Sequence, residues 1–395
     1  MKYVIIGGGI AGTTAAEELR KLDPESEITL ISLEFHAVYS RVLLPHYVKA
    51  KVPRERVFLK KETWYAEQKI EWIVGESVTK IDPVNQHVAL SDQTEVAYDK
   101  LLIATGGEVK LIEQDVPGVS YFRTLDDADH MLELLRALPL EARAGIYGGG
   151  FIACEYLNIF KHFNIATTIA FRGAHMWSRA LSSEAGELIT NHLITNGVEV
   201  IPNAAVVEIH GEKIIEAFSV GDKKISCHIL GIGVGIEPDF SLMREATIDV
   251  QDGILCNQFL ETNMPNIYTV GDVAEFLDER YGRHLLAGNW MNAQMQGRCV
   301  ARNMFGERTV FNLVSSYATN ALGLEIIFIG DTSRAHAAES RLIGSIEAGG
   351  ISELFVRNNR LVGAILVGRN SDRAVLTKLI QEQTELTDTS VILSS

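Results

Sequence analysis

Short apolar strands alternating with helical stretches predict an α/β fold of two tandem β-α-β units, followed by a small C-terminal α+β domain. Three observations carry the prediction. The run Val4-Ile5-Ile6-Gly7-Gly8-Gly9-Ile10-Ala11-Gly12 is echoed, about 140 residues later, by Gly145-Ile146-Tyr147-Gly148-Gly149-Gly150-Phe151-Ile152-Ala153. Each glycine cluster opens a helical stretch, Thr14 to Leu22 and Cys154 to Phe163, and each stretch leads into a second β-rich run, Ile28 to Ile31 and Thr167 to Phe171. From about Val310 the pattern changes to alternating strands, Glu325 to Ile329 and Leu361 to Val367, closed by a helix near Asp372 to Gln383.

Size and composition bound the answer. A chain of 395 residues exceeds one ordinary core, so two or three domains are expected. With 47% hydrophobic and 22% charged residues, the composition is that of a folded globular protein. The net charge of −15 argues against nucleic acid or anionic lipid as a partner. No apolar run approaches the roughly 18 residues of a membrane span, and Met1 to Ile6 reads as a buried strand instead of a signal peptide. A cytoplasmic location is expected. The four cysteines, Cys154, Cys227, Cys256 and Cys299, have no spacing suited to a redox disulfide or a zinc site, so no metal centre is expected.

The elements follow in order. The first glycine cluster reads Gly7-x-Gly9-x-x-Gly12, with Ala11 inside it, after a strand and before a helix. Gly7 allows the tight turn, Gly9 leaves room for a pyrophosphate, and Gly12 lets helix and strand approach. The helix N-terminus offers unpaired N–H groups and a positive dipole end to phosphate oxygens. Glu34, roughly 20 residues beyond, can accept hydrogen bonds from ribose hydroxyls. Punctuation between Val109 and Val119, including Pro117-Gly118, marks a domain break. The second cluster reads Gly148-x-Gly150-x-x-Ala153, with alanine in place of the third glycine. Its second strand ends in Phe171-Arg172 instead of an acid, and an arginine there can pair with a 2′-phosphate, leaning towards NADPH while leaving NADH open. The strand His228 to Val234 ends at Glu237-Pro238, after which Asn266 to Asp272 rejoins the first domain. The architecture is therefore two Rossmann-like dinucleotide-binding domains plus the C-terminal α+β domain.

Further segments carry a family resemblance: Tyr98 to Gly106 with its Ala104-Thr105-Gly106, Asn266 to Asp272, Tyr39-Ser40-Arg41, and Gly288-Asn289-Trp290 ahead of Gln296-Gly297-Arg298. Together with both glycine fingerprints they resemble the pyridine nucleotide-disulfide oxidoreductases, and most closely the branch of rubredoxin and ferredoxin reductases and the flavoprotein portion of NAD(P)H nitrite reductases. The resemblance implies domains of the three-layer ββα type: an FAD-binding domain at 1–112 and 243–308, an NAD(P)H-binding domain at 113–242, and a C-terminal domain at 309–395. It further implies that Thr105 and Gly106 pass the flavin nucleotide, Gly271 and Asp272 hold the ribityl chain, Arg41 reaches the FAD pyrophosphate, and Trp290 lies against the flavin. In relatives the aromatic at Phe151 covers the flavin until nicotinamide displaces it, and the acid at Glu155 contacts the nicotinamide side. Phe151 and Glu155 are one helical turn apart and share a face.

Departures narrow the branch. Val42 stands where disulfide-reducing members carry cysteine, and no cysteine precedes Cys154, so no thiolate is available for disulfide exchange. The family's proline after the Ala-Thr-Gly stretch is missing. His46 occupies the place of a lysine that pairs with the acid matching Glu155, and is expected to form a weaker, titrating pair. The expected activity is electron transfer from NAD(P)H through FAD to a small carrier protein or partner redox centre. An NAD(P)H oxidase or small-oxidant or quinone reductase is the alternative, and a flavin-bound scaffold with a decayed nicotinamide site is a third reading. Lys49, Lys51, Arg54, Arg56, Lys60 and Lys61, with Glu55 the only acid among them, form a basic stretch expected to dock an acidic carrier. A homodimer is a second partner expectation.

Overall fold

The computed structural model describes residues 1–112, 116–205 and 208–386. These form two compact units, one comprising Met1–Val42, Pro53–Glu108 and Glu237–Leu313, the other Leu43–Val52, Val109–Ile236 and the chain from Val314. Residue 113, where the second domain is expected to begin, lies outside the described residues.

In the first unit, five parallel strands lie in the order Ile267–Thr269, Lys100–Ile103, Lys2–Ile6, Glu27–Ser32, Ile70–Val74. Successive side chains of a strand point to opposite faces, so an apolar run can serve two cores at once. Tyr3 and Ile5 join Ala15 and Leu19 of the helix Ile10–Leu22 and Val300 and Met304 of the helix Trp290–Phe305. Val4 and Ile6 join Val78, Ile81, Val88 and Leu90 of an antiparallel meander on the other face. Helix, sheet and meander make the three layers expected. The two helices pack closely because Gly297 has no side chain: a Cβ there would lie 2.5 Å from the Ala11 carbonyl oxygen.

The second unit repeats the plan. Its parallel strands run in the order Glu199–Ile201, Ala166–Ala170, Arg143–Tyr147, Ile229–Ile232, Val119–Ser120. Gly145 lets the Phe218 ring of a second meander onto one face, and Gly231 lets the Tyr156 ring of the helix Phe151–His162 onto the other. The short helix Leu44–Val48 belongs to this unit, where the Tyr47 hydroxyl donates to Asp129 at 2.6 Å.

The C-terminal residues form an antiparallel sheet in the order Ser316–Ala321, Leu324–Gly330, Arg360–Val367, Gly350–Arg357, Glu339–Ser345, followed by the helix Arg373–Gln381. Polar contacts join this sheet to the rest of its unit. Asn158 donates to the Asn320 carbonyl at 2.6 Å, and buried Glu353 accepts from the Ser182 amide at 2.8 Å while pairing with Arg334.

Candidate functional site

The two glycine turns are built alike. Gly7 has φ +113°, and a Cβ on it would sit 2.2 Å from the Ala104 carbonyl oxygen; Gly148 has φ +136°, with the Gly233 carbonyl oxygen at the same 2.2 Å. Any side chain at either place would meet both backbone strain and a carbonyl, so glycine is obligatory. Gly12 lies against the same loop, its notional Cβ 2.1 Å from the Gly7 oxygen, and buried Ala153 is tolerated at the equivalent place in the second turn. Gly9 differs in kind. Its backbone is open to any residue, and no atom lies within 4 Å of where a Cβ would be. The absent side chain leaves a space at the N-terminus of the helix Ile10–Leu22, where the first amides lack intrahelical acceptors. That cradle fits an anionic group.

Charged residues converge around the first turn. Glu34 follows the strand Glu27–Ser32 and accepts from the Tyr39 hydroxyl and from the Arg41 guanidinium, each at 2.5 Å. Burial opposes the Arg41 charge, but Glu34, Tyr39 and Asp272 outweigh it and raise the Arg41 pKa. Arg41 thereby ties Glu34 and Asp272 into one electrostatic group. Asp272 lies in the short 3-10 helix Gly271–Val273, beside Gly288, whose notional Cβ would be 3.3 Å from its carboxylate. The Gly271 amide donates to Gln296 Oε1 at 2.6 Å, and Gly271 approaches Ala11. Gln296 is fully buried, yet its Nε2 has no hydrogen-bond partner, an orphaned donor that a polar ligand or water would satisfy. Thr105 is exposed and Gly106 has φ +65° in the loop after the strand Lys100–Ile103. Half-buried Trp290 opens its helix behind the Asn289 cap. The structure thus gathers Arg41, Glu34 and Asp272 as one cluster, with Gly271 close to Ala11 of the first turn.

In the second unit Phe151 begins the helix after Gly150 and packs at 5.1 to 5.3 Å, ring to ring, against Trp177, Tyr317 and Phe328. Glu155 follows one turn later. Burial raises its pKa, partly offset by Lys49. Lys49 is itself buried, its pKa lowered by desolvation and partly restored by Glu155. The expected pairing of His46 with Glu155 is corrected here. His46 is exposed, and burial together with Lys49 and Lys51 lowers its pKa. The cation that reaches Glu155 is Lys49, one turn beyond His46.

Lys49 is therefore also removed from the basic docking stretch, because a buried lysine turned to an acid offers no charge to a partner. Lys60 pairs with Glu17 at 2.8 Å and lies over the Trp64 ring, and Arg54 lies over the Phe58 ring. Lys51, Arg56 and Lys61 are exposed. Arg172 is exposed just beyond the strand Ala166–Ala170.

All four cysteines are free and buried. Burial pushes the Cys227 thiol up to about 12 and Cys299 to about 11, and raises Cys154 and Cys256 as well. Thiols held so strongly protonated are poor nucleophiles. Among the described residues no three His, Cys, Asp or Glu side chains converge as a metal site, and no helix is long and apolar enough to cross a membrane.

Comparison with known proteins gives the family and the fold. The NAD(P)H nitrite reductase of Bacillus subtilis is 28% identical over 99% of this chain and 48% of its own length. This chain spans about half the length of that relative and of the assimilatory nitrate reductase electron transfer subunit of the same organism. The ferredoxin–NAD(+) reductase subunit of the benzene 1,2-dioxygenase system of Pseudomonas putida is 29% identical over 96% of this chain and 92% of its own. Among solved structures, the covalent putidaredoxin reductase–putidaredoxin complex matches with a TM-score of 0.89 at 24% identity, covering 99% of this chain and 96% of that one, which shows the shared fold. The profile of the pyridine nucleotide-disulphide oxidoreductases matches residues 1–297, and the chain belongs to that family.

Proposed function

We propose that this chain is a flavoprotein oxidoreductase that takes electrons from NAD(P)H through FAD and passes them to a small electron-transfer protein or a partner redox centre. The carrying observation is the pair of matched glycine turns, each at the end of a central parallel strand and each opening a helix N-terminus. Relatives named as a ferredoxin–NAD(+) reductase subunit and a nitrite reductase support the acceptor class.

FAD fits the first turn. The space at Gly9 and the helix amides receive the pyrophosphate, Glu34 accepts from ribose hydroxyls, and Arg41, already held by Glu34, neutralises phosphate charge. Gly271 and Asp272 hold the ribityl chain, with Thr105, Gly106 and Trp290 along its path. Bound FAD supplies the two-electron acceptor and one-electron donor chemistry that protein side chains lack. The second turn, through Gly148, Gly150 and Ala153, holds the pyridine nucleotide. Phe151 borders the nicotinamide, Glu155 contacts its side with burial favouring its neutral form and Lys49 partly offsetting that, and Arg172 meets a 2′-phosphate. Within the basic stretch, the exposed Arg56 and Lys61 of the first unit are available to an acidic carrier.

Anaerobic addition of NADH and of NADPH to the FAD-loaded protein tests this reading. The oxidised flavin absorbance should bleach and return when oxidised ferredoxin or rubredoxin is added. A flavin left unbleached by either nucleotide overturns it.

A further inference from the structure

The two glycine turns differ in what lies beside the second glycine of the motif, and that difference is an indole. Beside Gly9 the space is empty. Beside Gly150 the atom nearest the place of a Cβ is Trp177 Nε1, at 3.9 Å. That indole nitrogen is shielded from solvent and has no hydrogen-bond partner. An indole N–H is a donor only, and buried donors are ordinarily satisfied, so this one points to a missing acceptor.

Trp177 is also held where a free chain would rarely put it. Its φ is +48°, an uncommon conformation for a bulky side chain. Five contacts hold it there. The Trp177 amide donates to the Gly149 carbonyl at 2.9 Å, inside the glycine turn itself. The ring packs edge-on to Phe151 at 5.3 Å and against Phe328 at 5.8 Å. The Trp177 carbonyl accepts from the amides of Ala180 and Leu181. Strain kept in place by surrounding structure marks a conformation with a use.

We propose that Trp177 donates its indole N–H to a pyrophosphate oxygen of the pyridine nucleotide bound at Gly148–Gly150, making it a binding residue of that site. The assignment rests on the nucleotide reading of the second turn, and the acceptor it requires is an anionic oxygen in the space that Gly150 leaves open. A neutral donor serves NADH and NADPH equally, since the pyrophosphate is common to both.

The test uses the FAD-loaded protein and its Trp177→Phe variant, which keeps an aromatic ring against Phe151 and Phe328 but lacks the N–H. Dissociation constants for ADP-ribose, which carries the pyrophosphate without nicotinamide, are measured by calorimetry, and flavin reduction by NADH and NADPH by stopped flow. Loss of a hydrogen bond to a charged group predicts about tenfold weaker binding of all three ligands. Equal affinities in the two proteins overturn the proposal. A wild-type protein that binds none of the three overturns instead the nucleotide reading beneath it. Should the variant not fold, the ¹H–¹⁵N indole signals of the wild type decide: one should move downfield on adding ADP-ribose, and a spectrum with all indole signals unmoved refutes the contact.

Discussion

Replacing Gly9 by alanine separates ligand space from folding. The position has φ −70° and ψ −173°, open to alanine, and no atom lies within 4 Å of the new Cβ. Alanine is a poorer N-cap than glycine by about 0.5–1 kcal/mol, while a stiffer unfolded chain returns about 0.4–1 kcal/mol. The two nearly cancel, so the flavin-free variant should unfold within about 0.5 kcal/mol of wild type. The methyl group fills the space proposed for the FAD pyrophosphate. Losing one charge-assisted hydrogen bond there costs about 1.5–3 kcal/mol, which weakens FAD binding roughly 10- to 150-fold. Gly7→Ala makes the contrast. Its Cβ would lie 2.2 Å from the Ala104 oxygen at φ +113°. Backbone strain of about 1–3 kcal/mol and an overlap of similar size together remove about 2–6 kcal/mol, a large share of a typical stability of about 5–15 kcal/mol. Urea unfolding of the flavin-stripped proteins, followed by circular dichroism, gives the stabilities, and quenching of flavin fluorescence on titration gives the affinities. The reasoning is refuted if Gly9→Ala binds FAD as wild type does, or if it unfolds as early as Gly7→Ala.

Three further expectations follow from the second unit. Lys49→Met removes the cation that favours ionised Glu155, so the pH midpoint of pyridine nucleotide binding should move upward, whereas His46→Ala should not raise it; a rise with the histidine variant alone would restore the sequence-based pairing. Glu155, raised by burial, favours folding while it is protonated, below the ordinary glutamate value of about 4.3, and this advantage is lost as pH rises through its folded-state value. Glu155→Gln cannot ionise, so its stability relative to wild type should increase from about pH 4 upward and then level off; urea midpoints that stay parallel across that range would contradict the sign. Arg172→Ala should raise the KM for NADPH more than that for NADH, by about tenfold if a charge-assisted bond to the 2′-phosphate is lost, and equal changes would remove Arg172 from the specificity site.

What the sequence shows of this protein is whatever the local backbone dictates. Both turns, the strands before them and the helices after them can be read from spacing, because a carbonyl 2.2 Å from a notional Cβ leaves no residue but glycine. The shared face of Phe151 and Glu155 follows from helical periodicity alone. Lys49 escapes such reading. The segment Leu44–Val48 is one short helix with Lys49 at its C-cap, so no long apolar stripe says which of His46 and Lys49 turns inward. The basic stretch misleads for the same reason, since linear proximity of like charges says nothing of desolvation: Lys49 is buried near Glu155 and Lys60 is drawn to Glu17, leaving a smaller exposed set. Trp177 is the extreme case. Two fingerprints with the same glycine spacing leave an empty space in one unit and an unsatisfied indole N–H in the other, and that contrast is fixed by Phe151, Phe328 and the Gly149 carbonyl, contacts that exist only after the chain has folded. A glycine motif therefore tells where a phosphate can lie, while the donors that grip it from outside the turn are decided by tertiary packing.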